Sequence, residues 1–282
     1  MTTENLLPGK TYTLKINRFV DFGAYLDAFN LGEILIPARY IPEGKKEDDM
    51  IEVFVYKDSE DRLIATTEKP YTQVGEFAAL EVKAITSVGA FLDWGLTKDL
   101  LVPFIEQKFK MEVGKKYLVF TYVDEETDRI AASSKLDQFL SDDDPDYHEG
   151  QEVDIIIYDK SDLGYKAIIN KSHWGLIYGN QVFEKIETGD KRKAYIGKIR
   201  DDNKIDLTLT KVGGALVDEV AIRLYQKLKE EKFIALHDKS DPEEIRRILG
   251  TSKKAFKKAI GTLYKRRLIT LEDNGLRISE QK

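Results

Sequence analysis

The chain has 282 residues, too many for one small core, and units of about 100 residues or fewer divide it into three or four domains. With 42% hydrophobic and 33% charged residues, no run near the roughly 20 uncharged apolar residues that span a bilayer, and a start, Met1-Thr2-Thr3-Glu4-Asn5, that lacks the basic and apolar parts of a signal peptide, a cytoplasmic protein with no membrane partner is expected. The absence of cysteine excludes disulfides, thiolate zinc sites and a cysteine nucleophile, and the net charge of −6 hides a split: residues 1–217 carry 28 Lys and Arg against 39 Asp and Glu, residues 218–282 carry 16 against 11.

From the N-terminus the chain repeats itself. A shift of 66 places Gly9 on Gly75, Leu14 on Leu80, the run Phe22-Gly23-Ala24-Tyr25-Leu26-Asp27 on Val88-Gly89-Ala90-Phe91-Leu92-Asp93, and Ile34-Leu35-Ile36-Pro37 on Leu100-Leu101-Val102-Pro103. The register slips by one only at a polar turn, where Asp61-Arg62 meets Asp128-Arg129. A further shift of 75 carries Gly75 to Gly150, Gly89 to Gly164, Leu101-Val102-Pro103 to Leu176-Ile177-Tyr178 and Asp128-Arg129-Ile130 to Asn203-Lys204-Ile205. Within each copy, short alternations such as Leu14, Ile16 against Lys15, Asn17 predict antiparallel strands, and the polar turns close a hairpin between the last two. Five strands in about 65 residues, with a glycine expected mid-strand to bend the sheet, predict a small barrel of the OB type. The acidic stretch Ser141-Asp142-Asp143-Asp144-Pro145-Asp146 reads as a solvated linker before the third copy, and Val212-Gly213-Gly214 as a second one.

After residue 215 the period becomes 3.6: Leu216, Val220, Leu224 and Leu228 mark one face of a helix. Ser240-Asp241-Pro242-Glu243-Glu244 starts a second helix that stops at Gly250, and Thr251 or Ser252 caps a third that carries Phe256, Ile260 and Leu263. Leu268 to Ile278 reads as a hairpin turning at Asn274-Gly275. Helix, helix, helix, hairpin is the order of a winged helix. The expected fold is mainly β with a C-terminal α+β domain: barrels at 1–69, 70–140 and, divergent, 141–212, followed by a winged-helix (helix-turn-helix) domain at 213–282.

The motif Phe22-Gly23-Ala24-Tyr25-Leu26-Asp27 with Ile34-Leu35-Ile36-Pro37 resembles the signature of the RNA-binding domain named after ribosomal protein S1, in which two aromatics flank Gly-Ala and a His stands near Pro37. The three copies together with Ser252-Lys253-Lys254-Ala255-Phe256-Lys257-Lys258-Ala259-Ile260 resemble the bacterial conserved virulence factor B family. That resemblance implies RNA binding and post-transcriptional regulation of gene expression, without catalysis.

A surface for single-stranded nucleic acid needs aromatic faces for the bases and cations for the phosphates. With Leu14, Ile16, Ala24 and Leu26 turned inward, Lys15, Phe22 and Tyr25 fall on the outer face of the first barrel. The second copy offers Lys83 and Phe91 but has Val88 in place of Phe22, one ring fewer, with Trp94 as a substitute that partial burial opposes. In the third, Tyr165 takes the inward Ala place, Lys166 the outward aromatic place and Tyr178 the place of Pro37, while His173 and Trp174 are expected in a loop. Their acidity, and the missing His at Pro37 and Pro103, predict modest affinity per barrel, raised by linkage of weak sites. In the last domain Lys253, Lys254, Lys257, Lys258, Lys265, Arg266 and Arg267 occur with no acid between Thr251 and Arg267, which suits contact with a phosphate backbone more than reading of bases.

Nothing points to an enzyme, a cofactor or a metal: His148, His173 and His237 form no ligand pair, no phosphate-binding Gly-x-x-x-x-Gly-Lys loop occurs, and Asp142, Asp143, Asp144 and Asp146 lack the Gly and distal Glu of a calcium loop. The expected partner is single-stranded RNA, with duplex DNA or RNA at the winged helix. Two rivals remain: a DNA-binding transcription regulator led by the winged helix, and a protein-interaction scaffold in which the aromatics form an interface core.

Overall fold

In the computed structural model, which describes residues 6–58, 60–179, 182, 185–209 and 219–279, each copy of the repeat folds into five strands in the same order. The first copy holds β1 (Lys10–Val20), β2 (Gly23–Asp27), β3 (Glu33–Pro37), β4 (Met50–Lys57) and β5 (Leu63–Thr66). The second holds β6 (Glu76–Ile85), β7 (Gly89–Asp93), β8 (Leu100–Pro103), β9 (Lys116–Val123) and β10 (Ile130–Ser133). The third holds β11 (Glu152–Lys160), β12 (Gly164–Ile169), β13 (His173–Tyr178), β14 (Lys191–Ile199) and β15 (Ile205–Thr208). Copies one and three close into barrels in the order β1-β2-β3-β5-β4 and β11-β12-β13-β15-β14, sealed by a parallel pair, Leu35 with Ile64 and Gly175 with Ile205. Copy two has the same neighbours in a five-stranded sheet with β10 and β8 at its ends.

Alternation fixes the inside of each barrel. Leu14, Ile16, Ala24, Leu26 and Ile36 are fully buried in the first, as are Leu80, Val82, Ala90, Leu92 and Val102 in the second and Ile155, Ile157, Ala167 and Ile169 in the third. The expected mid-strand glycine sits elsewhere. Gly23, Gly89 and Gly164 each open the second strand, where a Cβ would lie 2.1–2.3 Å from the carbonyl oxygen of Ile36, Val102 or Ile177, so the close approach of the third strand requires glycine. The long first strand bends instead at a β-bulge, between Ile16 and Arg18, Val82 and Ala84, and Ile157 and Asp159. The polar hairpin turn places Asp61, Asp128 and Asn203 in the left-handed region (φ 61°, 52° and 60°), which Asp and Asn tolerate best among residues with a Cβ.

The chain divides into two compact units, Met1–Asp142 with Thr188–Asp190, and Asp143–Glu187 with Lys191–Lys282. In the first unit the two barrels share a core: Phe54, Tyr56 and Ile64 of the first pack with Leu80, Val82, Leu92 and Trp94 of the second. Trp94 is 3% exposed, edge-on to Phe54 with ring centroids 5.6 Å apart, and its indole N–H donates to the Lys98 carbonyl. Around it, Val74 N–H donates to Gly9 O (3.0 Å), Thr97 Oγ1 to Glu68 (2.8 Å) and Arg129 Nε to Asp61 (2.7 Å), and Lys57 pairs with Asp128.

In the second unit the acidic stretch does not float free of the fold. The His173 ring contacts Tyr147 (3.1 Å) and the Asp143 carbonyl (3.3 Å), and Asn203 donates to Asp144, which fastens the segment to the third barrel. His173 and Trp174 begin β13 and are not loop residues. The winged helix comprises α1 (Glu219–Glu231), the short β16 (Phe233–Ile234), α2 (Pro242–Leu249), α3 (Lys253–Lys265), β17 (Ile269–Glu272) and β18 (Gly275–Ile278), with sheet order β16-β18-β17. Asp241 caps α2 by accepting from Glu243 N–H (2.8 Å), Gly250 ends it at φ 63°, and Ser252 caps α3 by accepting from Ala255 N–H (3.3 Å). Leu224, Leu228, Ile245, Leu249, Phe256 and Leu263 form the core. The hairpin turns at Asp273-Asn274, one residue earlier than expected, because Gly275 is already paired with Glu272. Val212-Gly213-Gly214 and Leu216 lie outside the described residues. Among the described residues, no helix is long and apolar enough to cross a membrane, and no group of His, Asp and Glu is placed to hold a metal ion.

A shared core makes the first two barrels one cooperative unit. Trp94→Ala is expected to remove about 3–5 kcal/mol of stability from both barrels together. Hydrogen exchange followed by mass spectrometry checks this: protection should fall alike in peptides from β1–β5 and β6–β10 and stay unchanged in α1–α3, whereas a loss confined to the second barrel would contradict it.

Candidate nucleic-acid interface

The outer face of each barrel is set by one cross-strand pair just past the bulge. Strict alternation from Leu14 and Ile16 would turn Arg18 inward; the bulge at Asn17 turns it outward, opposite Tyr25. The Arg18 guanidinium lies 4.1 Å from the centre of the Tyr25 ring and donates to Glu33 at 2.8 Å, while Asn17 donates to the other Glu33 oxygen at 3.2 Å. The bond from Arg18 holds the Glu33 carboxyl below the usual carboxylate range. Tyr25 is half-buried, and Phe22 in the adjoining turn is 60% exposed, with Phe19 beside it on the surface. Lys15 is also half-exposed and pairs with Asp48 at 3.2 Å.

In the second barrel the pair is Ala84 opposite Phe91. Among the described residues no cation or second ring stands over Phe91. Lys83 occupies the bulge, in the place of Asn17; the counterpart of Lys15 is Glu81, so the cation expected to repeat does not. Asp93 (3.3 Å) and Asp99 (3.4 Å) hold Lys83, and the hydrogen bond to Asp93 is the main cause of its raised pKa. Trp94, expected as a substitute stacking ring, has no face open to a base, because its ring is shut in the core shared by the two barrels. Phe104 supplies a ring where Val88 lacks one, while Ile85 stands where the first barrel has the exposed Phe19. Ala38 N–H donates to Phe22 O in the first barrel (3.0 Å) and Phe104 N–H to Val88 O in the second (3.4 Å), so these pairs are equivalent. The first barrel has Phe then Ala at these two places and the second has Val then Phe, and Phe104 is 49% exposed.

In the third barrel the pair is Asp159 opposite Lys166. Lys166 Nζ lies 3.5 Å from the centre of the Trp174 ring, which meets Tyr158, the bulged residue, at a ring separation of 5.2 Å. Tyr178 receives a hydrogen bond from Arg200, itself held to Asp206 at 2.6 Å. These rings serve internal contacts, so this face differs from the other two.

In the winged helix, α3 presses Phe256, Ala259, Ile260 and Leu263 into the core. At 3.6 residues per turn, Lys254, Lys258 and Lys265 lie on the opposite side around Gly261, where a Cβ would meet nothing within 4 Å. Among the described residues no carboxylate pairs with these three lysines, whereas Lys257 approaches Asp238 at 4.0 Å. Lys253 is half-buried; Arg266 and Arg267 follow the helix, Arg267 at φ 57°. Sequence reasoning missed Arg18, Phe104 and the exposed Tyr264 on α3. The bulge hid the first, and the 66-residue offset from Ala38 could have found the second.

The S1 domain family matches residues 8–68 and 74–135, the first two barrels. The CvfB-like winged helix domain matches residues 223–278. These two matches, together with relatives named conserved virulence factor B, bear out the resemblance of the chain to that family. Its domains are of nucleic-acid-binding types rather than of enzymes. Over 275 residues it is 28% identical to the uncharacterized protein YitL of Bacillus subtilis, spanning 93% of this chain and 90% of that protein. It is 22% identical over 236 residues to conserved virulence factor B of Staphylococcus saprophyticus, spanning 81% and 79%. A crystal structure of a multidomain protein with nucleic acid binding domains from Streptococcus pneumoniae shares 21% identity across 96% of this chain and 98% of that one, with a TM-score of 0.43.

If the lysine face of α3 meets phosphates, replacing Lys254, Lys258 and Lys265 with Ala should flatten the dependence of log affinity on log salt by about 2–3, at roughly 0.7–0.9 per lost phosphate contact. Titration of the full chain at several salt concentrations reads this slope, and an unchanged slope would show that this face does not touch the nucleic acid.

Proposed function

We propose that the chain binds single-stranded RNA on the outer faces of its first two barrels, with α3 as an added clamp on the phosphate backbone, and that it acts in post-transcriptional control of gene expression. The observation that carries this reading is the matched pair of half-buried rings, Tyr25 and Phe91, at one register position of the outer sheet, in barrels that each expose a further ring, Phe22 or Phe104, where that hairpin turns. A base stacked on such a ring contributes about 1–3 kcal/mol without regard to sequence, because every base has a flat face. The resemblance of the Phe22–Pro37 motif to the RNA-binding domain of ribosomal protein S1 favours RNA.

Charge explains the division of labour. The barrels sit in the acidic part of the chain and their candidate lysines are engaged by carboxylates, Lys15 by Asp48 and Lys83 by Asp93 and Asp99. Stacking is then their main contribution, and the lysines of α3 supply the attraction for phosphate. Two weak sites on one chain gain through effective concentration whenever one strand reaches both.

The test is titration of the full chain with single-stranded RNA, single-stranded DNA of the same sequence, and duplex DNA. The expected result is salt-sensitive binding that is tightest for single-stranded RNA. Preference for duplex DNA, abolished by the three lysine changes, would replace this reading with a winged-helix-led DNA regulator.

A further inference from the structure

The internal repeat allows the two barrels to be compared position by position. In the first, the ring at the outer register position is already stacked: Arg18 covers Tyr25 at 4.1 Å, and Glu33, seconded by Asn17, keeps the guanidinium there. A planar guanidinium on an aromatic face takes the place a base would take. In the second barrel the position of Arg18 is held by Ala84, whose methyl cannot cover a ring, and the residue in the place of Glu33 is Asp99, which is spent on Lys83. Phe91 therefore faces outward uncapped among the described residues. The exchange of Phe22 and Ala38 for Val88 and Phe104 keeps an exposed ring at the same end of the hairpin in both barrels, and beside the change of Phe19 to Ile85 the cap is what distinguishes the two platforms.

We infer that the principal base-stacking site is on the second barrel, at Phe91 with Phe104, and that Arg18 is an internal cap on Tyr25 which a base must displace before the first barrel contributes. This rests on the proposed binding of single-stranded nucleic acid. Displacing the cap costs the ring its guanidinium contact and strains the Glu33 pairing, which offsets most of what the incoming base gains. The first barrel consequently adds little to short strands, and its contribution rises when Arg18 is removed or drawn away to a phosphate.

The test uses the full chain and a fluorescein-labelled pyrimidine RNA of about 8 nucleotides, within the span one barrel covers, beside single-stranded DNA of the same sequence. Phe91→Ala is expected to weaken binding about tenfold or more, and Tyr25→Ala less than about threefold. In an Arg18→Ala background the Tyr25→Ala effect should grow to match that of Phe91→Ala; circular dichroism establishes that each variant is folded. The inference is overturned if Tyr25→Ala costs as much as Phe91→Ala in the otherwise unaltered chain, or if its effect is the same with and without Arg18. Binding to the DNA alone would sink the RNA reading and leave the comparison of rings to be decided on the DNA, whereas no binding to either strand overturns both.

Discussion

One extra residue in the first strand of each barrel decides what the outer sheet can do. The β-bulge at Asn17, Lys83 or Tyr158 shifts the alternation by one and brings Arg18, Ala84 or Asp159 to the surface opposite Tyr25, Phe91 or Lys166. The inward set, Leu14, Ile16, Leu26 and their counterparts, stays the same in chemistry because the barrel must be filled. The outward pair is free to vary. A ring under an arginine, a ring with no cation over it among the described residues, and a lysine over a tryptophan share one backbone geometry.

The second constraint is the seam between the first two barrels. OB barrels this small bury little, and here the first lends Phe54, Tyr56 and Ile64 to the core of the second, with Trp94 as the shared piece. Ion pairs between the two hairpin turns, Arg129 with Asp61 and Lys57 with Asp128, sit beside that core at partly exposed positions, where such pairs contribute little stability but fix orientation. The residue most easily mistaken for a ligand contact from sequence thus holds the two platforms together.

Much of this was legible beforehand, for identifiable reasons. Offsets of 66 and 75 reproduce the strands because the same barrel is built three times, and the left-handed Asp61, Asp128 and Asn203 mark the single slip between copies. Helix caps at Asp241 and Ser252 and the stop at Gly250 were readable because they are local chemistry. What alternation could not show is where it breaks: the bulge hid Arg18 and led to the pairing of Lys83 with Lys15. Burial of Trp94 was obscured because its partner, Phe54, lies in another copy. The acidic segment after Leu140 looked too charged to pack, yet backbone carbonyls and short side chains anchor it to His173 and Asn203.

The proposed function separates stacking from charge, with bases on the rings of the acidic barrels and phosphates on the lysines of α3. The most direct test is photo-crosslinking of the full chain to single-stranded RNA carrying 4-thiouridine, with the attached peptides identified by mass spectrometry. The account predicts adducts on the peptides bearing Phe91 and Phe104 first, with α3 adducts that vanish as salt is raised. Adducts on α3 alone, with none on either barrel, would contradict it.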